Sequence, residues 1–134
     1  MTFTSLVRSA LIGASFAVLT MTSAQALTQT PYNDAAFKAA QAEGKPVVVH
    51  VTAPWCGTCK AQHQALDSLA NNPLLKTVSV YTVDFDSQGD VWKSFNARSQ
   101  STIIAFAGNK ETGRIVGETG AKAIETLLQS SLAK

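Results

Sequence analysis

The chain has 134 residues, of which 46% are hydrophobic and 15% charged. This is one domain's worth of ordinary globular composition, which excludes a disordered chain, a barrel enzyme and a two-domain dehydrogenase. Eleven basic residues against nine acids give a net charge of +2 with no basic run to grip phosphates, so nucleic acid is not an expected partner. Two cysteines are too few for a disulfide scaffold or a four-cysteine zinc site.

Residues 1–26 read as a secretory leader outside the fold. Arg8 precedes an apolar run of 11 residues over 10–20 (ALIGASFAVLT), and Ala24-Gln25-Ala26 forms a small-x-small cleavage site. The run is short of the roughly 20 residues that a membrane span needs, and an uncleaved signal anchor is the competing reading. No cysteine follows it to accept a lipid. Cleavage leaves one domain over 27–134, with a charge of about +1 and enough chain to bury a core. The expectation is a soluble protein secreted into an oxidising compartment, in a diderm bacterium the periplasm.

The mature chain alternates helix and strand. Asn33-Asp34 caps a helix over AAFKAAQAE, which Gly44 and Pro46 end. Residues 47–51 (VVVHV) suit a strand buried on both faces. A helix is expected over 56–71, with Ala61, Ala65, Leu66 and Leu69 at helical spacing. Residues 77–83 form a second strand, 90–96 a short helix carrying Trp92 and Phe95, and 102–106 (TIIAF) a third strand. Gly108-Asn109 turns the chain into a fourth strand near 113–117, and 121–132 forms a closing helix with Ile124, Leu127, Leu128 and Leu132 on one stripe. Gly113 and Gly120 are expected at strand and helix ends. The prediction is an α/β fold: a mixed four-stranded sheet, flanking helices and an N-terminal helix. Its early strand-helix-strand unit crosses over right-handed and parallel.

The chemistry lies in Trp55-Cys56-Gly57-Thr58-Cys59-Lys60. Two thiols separated by two residues at a strand-to-helix junction can close a disulfide with little movement. A thiolate at Cys56 would meet unpaired N–H groups and the positive end of the helix dipole, which lowers its pKa. Cys59, one turn further, is placed to resolve a mixed disulfide. Gly57 lets a partner chain approach, and Trp55 offers a flat apolar contact. A merely stabilising bridge is a weak alternative, because so short a loop removes only about 2 kcal/mol of chain entropy.

From about Tyr32 to Leu132 the sequence resembles the thioredoxin family. The resemblance rests on residues 47–51, Ala53-Pro54 with the cysteine motif, Val83-Asp84-Phe85-Asp86, residues 102–106 and Gly117, with no gap between Cys56 and Gly117. It implies the thioredoxin fold, with Cys56 as attacking thiolate and Cys59 as resolving thiol. The implied activity is thiol:disulfide exchange with protein substrates, with no cofactor beyond the cysteine pair. It also implies a substrate face of Trp55, Gly57, Gln100, Ser101 and Gly117. An exported member needs a membrane redox partner. The Gly after Cys56 resembles the reducing members.

Four residues depart from the family pattern. Ser101, in Ser99-Gln100-Ser101-Thr102, stands where the family has a cis-proline facing the cysteines. Without proline a cis bond costs about 3–4 kcal/mol, so a trans bond is expected. The Ser101 hydroxyl could hydrogen-bond a sulfur or a substrate, and Gln100 backbone groups could pair with an extended chain. His50 replaces a buried aspartate and is read as the proton-transfer group, against the alternative of a core histidine bonded to a carbonyl. The lysine partner of that aspartate is Thr82 here. His63 lies on the face of Cys59, and Gln64 replaces a helix-kinking proline. Cys56, Cys59 and His63 or His50 could together hold a metal or an iron–sulfur cluster, which makes a binding module the second reading. A docking domain with an incidental disulfide is the third.

Overall fold

A computed structural model describes residues 26–134. The leader reading concerns residues outside that range, apart from Ala26. The elements are β1 (Thr28–Pro31), α1 (Asp34–Ala42), β2 (Pro46–Thr52), α2 (Gly57–Ser68), β3 (Ser79–Asp84), α3 (Gly89–Ser94), β4 (Thr102–Ala107), β5 (Lys110–Val116) and α4 (Ala121–Ser130). They build one five-stranded sheet in the order β1-β3-β2-β4-β5. β2 pairs parallel with β3 and antiparallel with β4, while β1 joins β3 in parallel and β5 joins β4 antiparallel.

β2 is central, and all of Val47, Val48, Val49, His50 and Val51 are buried. Helices cover both sheet faces, so the strand reads as a run of apolar residues rather than an alternation. On one face Val48, Val80, Ile103 and Ala105 pack with Leu66 of α2 and Ile124 and Leu128 of α4. On the other Val47, Val49, Val51, Tyr81 and Ile104 pack with Phe37 of α1, with Trp92 and Phe95 at the margin. His50, two residues from Val48, belongs to the face that α2 covers.

The helix caps follow the sequence. Asn33 is the N-cap of α1, and its side chain accepts from Ala36 N at 2.9 Å. Gly44 takes the left-handed conformation (φ 71°) past its end. The turn between β4 and β5 is Gly108-Asn109, as expected, with Gly108 at φ 59°.

Three expectations are corrected. The sheet has five strands rather than four, because residues 28–31 (TQTP) pair with β3. Four mostly polar residues ending in proline carry no periodic signal, and the pairing that makes them a strand is long-range. Pro31 is tolerated because β1 is an edge strand. α2 ends at Ser68 rather than at residue 71, and Leu69 and Ala70 close it as a turn. Gly113 lies inside β5, where a Cβ would stand 3.0 Å from Leu127 Cδ1. Its small size makes room for α4, whereas Gly120 is the α4 N-cap as expected. Among the described residues no helix is long and apolar enough to cross a membrane.

Leu66 is fully buried between α2 and the sheet. Leu66→Ala should cost about 3 kcal/mol by leaving a cavity under the cysteine helix. Urea unfolding at neutral pH checks this, with the midpoint falling and the slope unchanged.

Candidate active site

β2 ends at Thr52, and Ala53-Pro54-Trp55 turns the chain into α2. Cys56 N donates to Ala53 O at 3.1 Å, which closes that turn. Cys56 is the N-cap of α2, and its sulfur accepts from Cys59 N at 3.1 Å. A sulfur thus fills a place usually taken by a serine or aspartate oxygen, beside the helix's unpaired N–H groups. Cys56 and Cys59 form a disulfide with their Cα atoms 5.2 Å apart. Cys56 is 7% exposed and Cys59 1%, so the first sulfur is the accessible one.

An aromatic stack supports the pair. Trp55 is 61% exposed, and its Nε1 donates to Asp86 Oδ2 at 2.9 Å. Its ring meets Phe85 edge-on, and Phe85 lies 4.8 Å from Trp92 in a stacked arrangement. Phe85 also packs against Ala53 and the cysteines. A cleft of about 360 Å³ opens beside Cys56, among Pro54, Lys60, His63 and Asp84.

Ser101 closes the other side. Its Oγ stands 3.1 Å from Cys56 Sγ and 3.2 Å from Cys59 Sγ. The described residues contain no cis peptide bond, and Ser101 takes a left-handed conformation instead, φ 61°. Such a conformation costs a non-glycine residue roughly 1–3 kcal/mol. Three hydrogen bonds hold it: Ser101 N donates to Val51 O at 2.8 Å, and Ser101 O accepts from Gly117 N at 2.9 Å and Gln62 Nε2 at 3.0 Å. Gly117 itself has φ 71°, with open space where a Cβ would lie. Trp55, Gly57, Ser101 and Gly117 are thereby gathered around the disulfide, and half-buried Gln100 adjoins Ser101 in the same loop.

Between β2 and α2 the structure places two histidines with ring centroids 4.5 Å apart. His50 is fully buried, and its Nε2 lies 2.9 Å from Gln62 Oε1. Gln62 Nε2 faces two carbonyls, Ser101 O at 3.0 Å and Glu118 O at 2.9 Å. Carbonyls only accept, so the amide nitrogen must point at them and Oε1 must face the imidazole. His50 Nε2 therefore carries the proton. Nδ1 keeps its lone pair, buried and without a hydrogen-bond partner. Burial, reinforced by His63, pushes the His50 pKa down to about 4 against a smaller opposing effect of Gln62.

His63 is half-buried, with Nδ1 3.0 Å from Gln29 Oε1 and Nε2 3.1 Å from Thr52 Oγ1. Gln29 Nε2 in turn donates to Asp67 Oδ1 at 2.7 Å. His63 so ties β1 to the active-site helix, and burial lowers its pKa against an opposing effect of Asp67. Both ring nitrogens are engaged within the protein. Among the described residues no three His, Cys, Asp or Glu side chains are grouped to hold a metal.

Two functional neighbours escaped the sequence reading. Asp86, which enters the sequence analysis only as part of the family resemblance, anchors Trp55. Gln62 was not singled out, although the spacing of Cys59, Gln62 and Leu66 puts an amide on the buried stripe of α2.

The buried neutral His50 makes stability pH-dependent. The unfolded chain takes up its proton near pH 6.5 and the folded chain only near 4, so acidification favours unfolding. The stability present above about pH 6.5 should fall by about 3 kcal/mol as pH drops to 4. Urea titrations across that window test this, and a His50→Leu variant should show a flatter profile. The same loss in both proteins would exclude His50 as the cause.

Comparison with known proteins agrees with this geometry. The family model described as Thioredoxin matches residues 28–130. Thioredoxin-2 of Saccharomyces cerevisiae is 33% identical over 97 residues, 72% of this chain and 90% of the relative. The chloroplastic thioredoxin M4 of Arabidopsis thaliana is 29% identical over 89 residues, which are 66% of this chain but only 46% of that longer protein. The crystal structure of Trxlp from Edwardsiella tarda superposes with a TM-score of 0.72 at 40% identity, covering 75% of this chain and 97% of that one. The fold, the helix-capping cysteine pair and these relatives have one common explanation: the chain belongs to the thioredoxin family and is a thiol:disulfide oxidoreductase.

Proposed function

We propose that the protein works outside the cytoplasm as a reductant of protein disulfides, recharged by a membrane electron donor. The position of Cys56 carries the exchange chemistry of this reading, though not its direction: its sulfur caps α2, with Cys59 buried behind it and the Ser101 hydroxyl against both sulfurs. Helix N–H groups and a hydroxyl stabilise a thiolate there. The leader-like order of residues 1–26 supports export, and the lean to the reducing direction rests on Gly57 at the first inner position of the motif, which resembles the reducing members.

In the reduced protein the Cys56 thiolate attacks one sulfur of a substrate disulfide. That S–S bond breaks, a Cys56–substrate bond forms, and the other substrate sulfur leaves as a thiolate. Cys59 then gives its proton to the Nδ1 lone pair of His50 and attacks Cys56 Sγ. The mixed disulfide breaks, the second substrate sulfur leaves, and the pair is oxidised. Two electrons pass to the substrate, and the two substrate thiolates take protons from solvent and from His50. Trp55, Gly57 and Gly117 form the exposed docking face, and the Gln100–Ser101 edge pairs with an extended substrate segment.

Cys56→Ser should abolish turnover, and Cys59→Ser should accumulate mixed disulfides visible on non-reducing gels. If no mixed disulfide forms with any exported protein, the exchange role falls.

Equilibration against glutathione gives the direction. A potential near −270 mV is expected for a reductant, and one near −120 mV would make the protein an oxidant. Ser101→Ala removes a hydrogen bond to the Cys56 thiolate and destabilises the reduced form. It should therefore make the potential more negative, by roughly 30–60 mV.

A further inference from the structure

The fully buried amide of Gln62 lies between the two unusual parts of this site. Its Oε1 accepts from His50 Nε2, and its Nε2 donates to the carbonyls of Ser101 and Glu118. An amide offers two acceptor lone pairs and two N–H bonds, so both donors and one acceptor site are engaged. A buried amide of this kind is costly unless satisfied, which favours the single arrangement that satisfies it. Leucine or methionine at 62 would extend the apolar stripe of α2, yet neither could hold a carbonyl or an imidazole.

We propose that Gln62 is a positioning residue that fixes the His50 imidazole with its proton on Nε2 and pins the loop carrying Ser101, so that proton acceptor and sulfur-facing hydroxyl are set by one side chain.

The proposal rests on the reading of His50 as the proton acceptor and assigns the device that orients it. With Nε2 donating to Gln62, the free lone pair must be on Nδ1, the atom left without a partner. Without Gln62 the imidazole could exchange tautomers or turn over, and the lone pair would lose its fixed position. The same loss would leave Ser101 O with only Gly117 N as a partner. A serine at φ 61° needs such support, because it lacks the ring that makes proline rigid. Groups around His50 do not duplicate the restraint. On α2 the other titratable groups on this side are Cys59, held in the disulfide, and His63, engaged with Thr52 and Gln29. On the flanking strands the partners of His50 are Thr82 and Ile103, neither of which titrates.

Nitrogen-15 NMR of the imidazoles tests the proposal without relying on activity. In the folded wild-type protein His50 should show a pyrrole-type Nε2 and a pyridine-type Nδ1 throughout the neutral range. The opposite tautomer, or an averaged signal, would overturn the proposal even if no variant folds. Gln62→Met keeps most of the volume and removes all three hydrogen bonds. It should average the two His50 nitrogens, lower the rate of disulfide exchange about tenfold to a hundredfold and change its pH profile. Gln62→Glu, which keeps an acceptor for His50 but no donor for Ser101 O, should retain the tautomer while losing rate. A Gln62→Met protein with the wild-type tautomer and pH profile would reduce Gln62 to a packing residue. The reading of His50 fails separately: a folded His50→Leu variant with wild-type exchange rates removes the proton-acceptor role and leaves the tautomer result untouched.

Discussion

Gln62 brings an amide into a position where the apolar face of α2 should close on the sheet, and the site is arranged around the bonds it makes. It faces His50 on the central strand, Ser101 in the loop before β4 and Glu118 in the loop after β5. Those segments lie far apart in the chain. In a medium of low dielectric an unpaired amide, carbonyl or imidazole would each cost roughly 1–3 kcal/mol. The amide, the two carbonyls and the Nε2 side of the imidazole satisfy one another, which leaves His50 Nδ1 as the atom without a partner and holds the Ser101 loop, whose hydroxyl faces the sulfurs.

The Ser101 loop shows how a family feature is rebuilt with other chemistry. Proline would supply rigidity from its ring and could offer no hydroxyl. Serine offers the hydroxyl, which stands 3.1 and 3.2 Å from the two sulfurs, and takes its rigidity from bonds to Val51, Gly117 and Gln62. The buried aspartate–lysine pair is likewise replaced by an uncharged arrangement, a neutral imidazole above Thr82. A neutral imidazole adds no negative charge to this buried region, unlike a carboxylate.

The position of β1 links fold to site. Gln29 on this edge strand bonds both His63 and Asp67 of α2. The cysteine helix is thus held at its N-terminal turn by the disulfide, along its buried face by Leu66, and on its flank by β1. Its exposed end presents Trp55 and Gly57, and Val116 and Gly117 are exposed at the end of β5.

Most of the fold was legible in local pattern. The VVVHV run announced a strand covered on both faces, Asn33 announced a cap, and the cysteine spacing announced a redox pair at a helix start. These are signals of neighbouring residues, and neighbouring residues determine them. β1 was not legible, because four polar residues become a strand only when β3 supplies the hydrogen bonds. Gly113 was misplaced, because its reason for being small is Leu127 on another element. Gln62 passed as one more helix residue, since nothing within α2 says that two loop carbonyls and an imidazole await it. The sequence by itself determined the fold class, the reactive cysteines and the unusual residues at 50, 63 and 101. Only the tertiary structure decided which nitrogen of His50 carries the proton and what holds Ser101 in place, because those answers depend on partners brought together from distant parts of the chain.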